Sequence, residues 1–447
     1  MSIDPKKVKQ ILGKNILADG FDPVIDLEKS SGSWIVDQRD GVKYLDMFSM
    51  YASGSVGYNH PYILEHKDKL GEIAVNKTTL SDIYNVYYAE FVETFDRIAM
   101  PSYLKNAFFI DGGSLAVENA LKAAFDWKRR INMSKGSKVN GDKVIYFNQA
   151  FHGRTGYTLT LTNTADPRKT MYFPKFPWFK VDNPYINFPL TSDVLKDLIK
   201  QENAVIESIK EIVENNTDDI AALILEPIQG EGGDNHFRSE YFKELKTLSL
   251  ENDFLLIYDE VQTGIGITGK MWAHQSFEPN KKNKLYCEKM EPDIISFGKK
   301  TQCCGIFAGR RLDEVEHHVF KESSRINSTF GGNLVDMVRF TIYLEVIENE
   351  NLVSLASKNG AYLLSCLNKM EEKYPNTISN SRGMGLFCAF DLPSSDKRDD
   401  LIRHMESEGA IILGCGQSSI RFRPHLNITE DEIDQAMFMM ESSINRL

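Results

Sequence analysis

Three fragments of the sequence carry groups that could act on one small molecule. Asp259 closes the run FLLIYD, Lys299 follows DIISFG, and Gly113 and Ser114 stand in DGGSLAVENALK, where a strand-like run passes into a helical pattern. A lysine amine can condense with an aldehyde, a carboxylate can keep a ring nitrogen protonated, and backbone N–H groups at a helix start can take a phosphate. Pyridoxal 5'-phosphate needs all three. Taken singly, each has an ordinary reading: Asp259 as a helix N-cap, Lys299 as a solvated loop residue, and GGS as a plain strand-to-helix turn.

Such groups must be held by regular elements, and the pattern supplies them. NAFFI (106–110), KVIYF (143–147), AALIL (221–225), FLLIY (254–258), DIISF (293–297) and GIFAG (305–309) are short, nearly continuous apolar runs, the mark of strands buried on both faces. Helical stretches between them imply parallel crossovers, hence an α/β protein with a mostly parallel sheet. In LAVENALKAAFDWKRR, Leu115, Ala116, Ala120, Ala124 and Trp127 fall on one helical stripe. Ligands of open parallel sheets bind beyond the carboxyl ends of the strands. Those ends read DGGS, NQAFHGR, EPIQGEGG, DEVQTG and GKK, so the polar chemistry collects at one edge. The long amphipathic patterns after about residue 331 predict a second, smaller domain.

Composition removes other classes. A chain of 447 residues has room for roughly two or three domains. A net charge of −11 and a pI near 5.5 oppose a nucleic-acid partner. No apolar stretch opens the chain or is long enough for a membrane span, so a cytoplasmic location is expected. Six cysteines without C-x-x-C and nine histidines without H-E-x-x-H predict neither disulfides nor a metal. GIGITGK (264–270) fits both a dinucleotide fingerprint and most of a phosphate loop. DEVQT separates it from the preceding strand, and Met271 stands where the phosphate loop needs Ser or Thr, so both matches read as accidents. The polar, basic segment 280–291 reads as a surface loop.

Across almost the whole chain, YLDMFSMYASGSVGYNHP, GGSLAVENALK, AFHGR, EPIQGEGG, DEVQTG, PDIISFGKK, NSTFGGN and IRFRP resemble, in order, the class III pyridoxal-phosphate aminotransferases. The resemblance implies the fold type I architecture, with a small domain built from residues 1–59 and 331–447 around a large cofactor domain of residues 60–330. It also implies a homodimer with shared active sites. Several motifs most resemble the family members that move the ε-amino group of L-lysine to 2-oxoglutarate, giving L-glutamate and 2-aminoadipate 6-semialdehyde. Ornithine and 4-aminobutyrate are the competing donors, and a pyridoxal-phosphate-binding protein without catalysis is the competing class.

Roles follow from the same resemblance. Lys299 is the Schiff-base lysine, with Lys300 its rival, and Asp259 faces the ring nitrogen. Gln262 bonds the ring's phenolic oxygen, Phe151 stacks on the ring, and Gly113 and Ser114 bind the phosphate with Thr329 of the neighbouring subunit. Arg154 holds the distal carboxylate of the donor. Arg421, with Arg423 as rival, holds glutamate's α-carboxylate. Glu231, with Glu226 as rival, covers Arg421 when the donor brings no carboxylate there. Ile267, where many relatives have Arg, leaves the entrance undefined.

Overall fold

Buried backbone must be hydrogen-bonded, and a run with few polar side chains finds those bonds in the middle of a sheet. The computed structural model describes residues 3–277 and 290–447. Cys287 and most of the 280–291 segment lie outside the described residues.

The strands, in chain order, are β1 (Trp34–Val36), β2 (Lys43–Asp46), β3 (Asn106–Ile110), β4 (Lys143–Phe147), β5 (Phe179–Val181), β6 (Ile220–Leu225), β7 (Ile228–Gln229), β8 (Asn235–His236), β9 (Leu255–Asp259), β10 (Ile294–Phe297), β11 (Cys304–Ala308), β12 (Ser379–Met384), β13 (Phe387–Asp391), β14 (Ala410–Ile411), β15 (Leu413–Cys415) and β16 (Ser419–Phe422). The main sheet runs β3-β11-β10-β9-β6-β4-β5. Every residue of β6, β9, β10 and β11 is buried, as continuous apolarity requires.

Two expectations need correction. β11 is antiparallel to both neighbours, β10 and β3. Residues 298–303 are too short a link for a crossover, which takes about a dozen residues. The short strand β5 at the sheet edge went unforeseen because its three residues, FKV, carry no periodicity to read.

Helix Gly113–Ser134 packs over the sheet through Ala116, Ala120, Ala124 and Trp127, all fully buried, and the Trp127 indole N–H donates to the carbonyl of Arg311 at 2.8 Å. Leu115 departs from the expected stripe and is 37% exposed. The helix starts at Gly113, so Leu115 lies in its first turn.

Both ends of the chain meet in one small sheet, where β14 pairs in parallel with β2, itself antiparallel to β1. A four-stranded sheet, β12-β13-β16-β15, adjoins it. Ser49, Met50, Tyr51 and Ala52 all take positive φ, from 39° to 65°, making a left-handed turn without a glycine. Each such residue costs about 1–2 kcal/mol, and surrounding bonds fix the turn. The Ser49 hydroxyl donates to the carbonyl of Arg423 at 2.5 Å, and Ala52 offers its carbonyl to the Lys300 ammonium at 3.0 Å.

The glycines of GIGITGK serve packing. A Cβ on Gly264 would meet the Trp272 ring at 2.6 Å, one on Gly269 would meet Ser357 at 2.8 Å, and Lys270 is exposed. Among the described residues no helix is long and apolar enough to cross a membrane.

Candidate active site

Strand ends bring the reactive groups together. Gly113, Ser114, Phe151, His152, Gly153, Glu226, Asp259, Val261, Gln262 and Lys299 line a cavity of about 210 Å³. Six of the ten residues singled out from the sequence are in this wall.

Asp259, the last residue of β9, is 5% exposed and held from three sides. Its Oδ2 lies 2.8 Å from His152 Nδ1, while Oδ1 accepts from the Val261 N–H at 3.1 Å and the Ser296 hydroxyl at 3.2 Å. With Asp259 ionised, His152 carries its proton on Nδ1. His152 Nε2 is buried and, among the described residues, has no hydrogen-bond partner. Sequence reasoning passed over His152, although it follows Phe151 directly in AFHGR.

The two lysines separate cleanly. Lys300 is buried, and its Nζ donates to the carbonyl of Ala52 at 3.0 Å and that of Gln262 at 3.4 Å. Lys299 faces the cavity with a backbone φ of 55°, a conformation an L residue keeps only when its surroundings impose it. Burial, then the positive charges of Arg421 and Arg423, lower the Lys299 pKa to about 8. Its amine is therefore partly neutral near physiological pH and able to act as nucleophile or base.

Glycine is needed where walls touch. A Cβ on Gly153 would sit 2.0 Å from the Ser114 hydroxyl, and one on Gly230 would sit 2.2 Å from Gln262 Oε1. Ser114 Oγ accepts from the Arg154 backbone N–H at 3.2 Å. Gln262 Oε1 accepts from Arg423 Nε at 3.0 Å, which orients the amide and leaves its NH₂ group to donate.

Beside the cavity, Arg421 of β16 donates from Nη2 to Glu231 Oε2 at 2.7 Å. Arg421 is 4% exposed, and among the described residues its Nε has no hydrogen-bond partner. The rivals occupy other places. Arg423 forms a two-pronged ion pair with Asp234, one arm at 2.9 Å, and its guanidinium carbon lies 3.2 Å from the centre of the Phe387 ring. Glu226 accepts from the N–H groups of Phe151 at 2.9 Å and Gly230 at 3.1 Å, and burial pushes its carboxyl up to about 7. Neither Arg154 nor Thr329 belongs to the cavity wall of its own chain; both are exposed, and the Thr329 carbonyl accepts from the Ser81 hydroxyl at 3.4 Å.

With this geometry in place, the aminotransferase class-III family model matches residues 17–444. The chain belongs to the class-III aminotransferases. It is 45% identical over 444 residues to the L-lysine-epsilon aminotransferase of Mycobacterium bovis, covering 98% of this chain and 96% of that protein. To the enzyme of the same name from Amycolatopsis lactamdurans it is 44% identical, over 99% of this chain and 96% of that protein. The solved structure of lysine aminotransferase from M. tuberculosis in the internal aldimine form superposes with a TM-score of 0.94 at 45% identity, covering 99% of this chain and 100% of that one. Within the class-III aminotransferases, similarity to the 4-aminobutyrate aminotransferase of Kluyveromyces lactis is lower, 30% identity over 95% of this chain and 90% of that protein.

The cavity fits pyridoxal 5'-phosphate. The 22-residue helix Gly113–Ser134 points its free N–H groups at the cavity through Gly113 and Ser114, the lowered-pKa amine of Lys299 faces it, and the carboxylate of Asp259 closes its floor.

Proposed function

We propose that this class-III aminotransferase uses pyridoxal 5'-phosphate to move the ε-amino group of L-lysine to 2-oxoglutarate, giving 2-aminoadipate 6-semialdehyde and L-glutamate, and that it does so as a cytoplasmic homodimer. The observation that carries the reading is the Glu231–Arg421 pair beside the cavity. A site that accepts one ligand with a carboxylate near the reacting centre and another without it needs a cation that is sometimes covered.

Bound cofactor would supply a carbonyl carbon that takes up an amine and a protonated ring that draws electrons from the neighbouring carbon. Gly113 and Ser114 would hold its phosphate, with Thr329 of the second subunit, and Phe151 would face the ring. Gln262 would donate to the phenolic oxygen, and Asp259, oriented by His152, would keep the ring nitrogen protonated. Lys299 would hold the cofactor between turnovers. Once released, its Nζ would take a proton from the ε-carbon of lysine in the donor half-reaction and deliver one to the α-carbon of 2-oxoglutarate in the acceptor half-reaction.

Arg154 would take the α-carboxylate of lysine, and Glu231 would cover Arg421 while the apolar stem of lysine passes. For 2-oxoglutarate, Glu231 would withdraw. The α-carboxylate would then meet Nη2 and the unpartnered Nε of Arg421 as a two-pronged pair. In this reading residues 60–330 form the large domain and residues 1–59 with 331–447 the small one, a division supported by the pairing of β2 with β14.

Chain length of the donor decides the test. Turnover with 2-oxoglutarate is compared among lysine, ornithine and 4-aminobutyrate, with lysine expected to be fastest. Equal or faster turnover of 4-aminobutyrate would sink the lysine assignment and leave the class-III assignment intact.

A further inference from the structure

Glu231 does not belong to Arg421 alone. Its Oε2 takes the Arg421 guanidinium while its Oε1 forms a close ion pair with the Lys169 ammonium. Lys169 ends the short turn Pro167–Lys169 and places its Nζ 5.7 Å from the centre of the Phe151 ring, so it stands beside the cavity wall. Lys169 and Glu231 side chains are 24% and 23% exposed, against 5% for Arg421, so the shared carboxylate has a dry side and a wet side. On the wet side a second cavity, of about 310 Å³, has Lys169, Glu231, Cys415 and Gly416 in its wall.

The backbone around Glu231 is tied to the neighbouring loop. The Gly416 N–H donates to the carbonyl of Glu231 at 2.9 Å, and a Cβ on Gly416 would meet Gly233 at 2.8 Å. Withdrawal of Glu231 from Arg421 would thus be mainly a side-chain rotation, and a carboxylate that leaves one cation inside a half-buried wall needs another to receive it.

We propose that Lys169 is the positioning residue of this gate: it keeps hold of Glu231 Oε1 while Oε2 leaves Arg421, and so stabilises the state that admits an α-carboxylate. The inference rests on the two-substrate reading above. It gives Lys169 a sign opposite to that of Glu231. Removing Glu231 frees Arg421 for glutamate, whereas removing Lys169 leaves Glu231 with Arg421 as its remaining partner and keeps glutamate out.

The test is single-turnover kinetics of each half-reaction on the holoenzyme, for wild type, Lys169→Met, Lys169→Arg, Glu231→Ala and the Lys169→Met/Glu231→Ala double variant. Lys169→Met is expected to raise the half-saturating glutamate concentration about fivefold, the size of one partly exposed ion pair, without raising that for lysine. Lys169→Arg should restore the wild-type value, and in the Glu231→Ala background Lys169→Met should change nothing for glutamate. An equal rise for both substrates, or no rise for glutamate, overturns the proposal. A glutamate penalty that persists without Glu231 also overturns it, because Lys169 would then bind the substrate itself. If wild type turns over another ω-amine instead of lysine, the lysine assignment falls, and the same comparison with that amine still decides Lys169.

Discussion

Arg421 and Arg423 stand two residues apart, one in β16 and one just beyond it, both nearly inaccessible, yet their surroundings differ completely. Arg423 has four of its five donors engaged: two prongs on Asp234, Nε on Gln262, and Nη1 also on its own neighbour's carbonyl at Phe422, with a ring face beneath it. Among the described residues Arg421 has one side-chain partner, Glu231, itself shared with Lys169, and its Nε has none. The same contrast recurs between Lys300, tied to two carbonyls, and Lys299, facing the cavity. In each pair the residue with more of its donors engaged ties backbone and neighbouring side chains together, and on the proposed reading its neighbour keeps a group for a ligand.

The sharpest break of this contrast is at the lysines. Lys299→Ala should lower turnover about a thousandfold or more and abolish the borohydride-sensitive visible band of the bound cofactor. Lys300→Ala should keep that band and lose stability instead. Persistence of the band in Lys299→Ala and its loss in Lys300→Ala would reverse the two roles.

At the arginines, Asp234→Ala strands a buried cation and should cost about 3–5 kcal/mol of folding stability, read by urea or thermal unfolding. Glu231→Ala should leave stability nearly untouched by comparison. It should slow the lysine half-reaction about 10- to 100-fold while the glutamate half-reaction survives or improves. If both half-reactions slow alike, Glu231 supports the site in general and the reserve role of Arg421 fails.

A smaller effect follows from the lowered pKa of Lys299. Unfolded lysine holds its proton to about 10.5 and folded Lys299 only to about 8, so the unfolded chain binds more protons between those values. The contribution of this group to stability therefore rises with pH across that window. In cofactor-free protein, the rate of cofactor uptake should climb about tenfold per pH unit below 8 and level off above it. A flat profile from pH 6 to 9 would show an amine already neutral throughout. The smallest effect expected is for Thr329→Ala, a modest loss of cofactor affinity that dilution of the proposed dimer should mimic, measured by cofactor release on gel filtration.

The strands were legible because burial on both faces demands unbroken apolar runs, and β6 and β9 to β11 obey that rule over every residue. β11's direction was not, because apolarity says nothing about polarity of the chain; only the length of the link at 298–303 carries that. Asp259 and Lys299 could be read from their positions after strands. Lys169 could not, since TADPRKT has no periodicity or motif, and its place beside Glu231 comes from the path of the loop after helix Gly156–Leu161. Arg154 and Thr329 remain readable only through resemblance, because one chain leaves both exposed.

The left-handed turn at Ser49–Ala52 has a consequence for inheritance. Its mirror-image geometry is tolerated because Ala52 meets Lys300 and Ser49 meets Arg423, while Ser55 bonds the carbonyl of Lys300 at 2.8 Å and Leu426 bonds that of Ser55 at 3.0 Å. Three stretches far apart in the chain thus form one unit of descent. A chimera that takes its first sixty residues from a distant relative should fold poorly unless the segments around Lys300 and Arg423 travel with them, however well each piece matches when aligned alone.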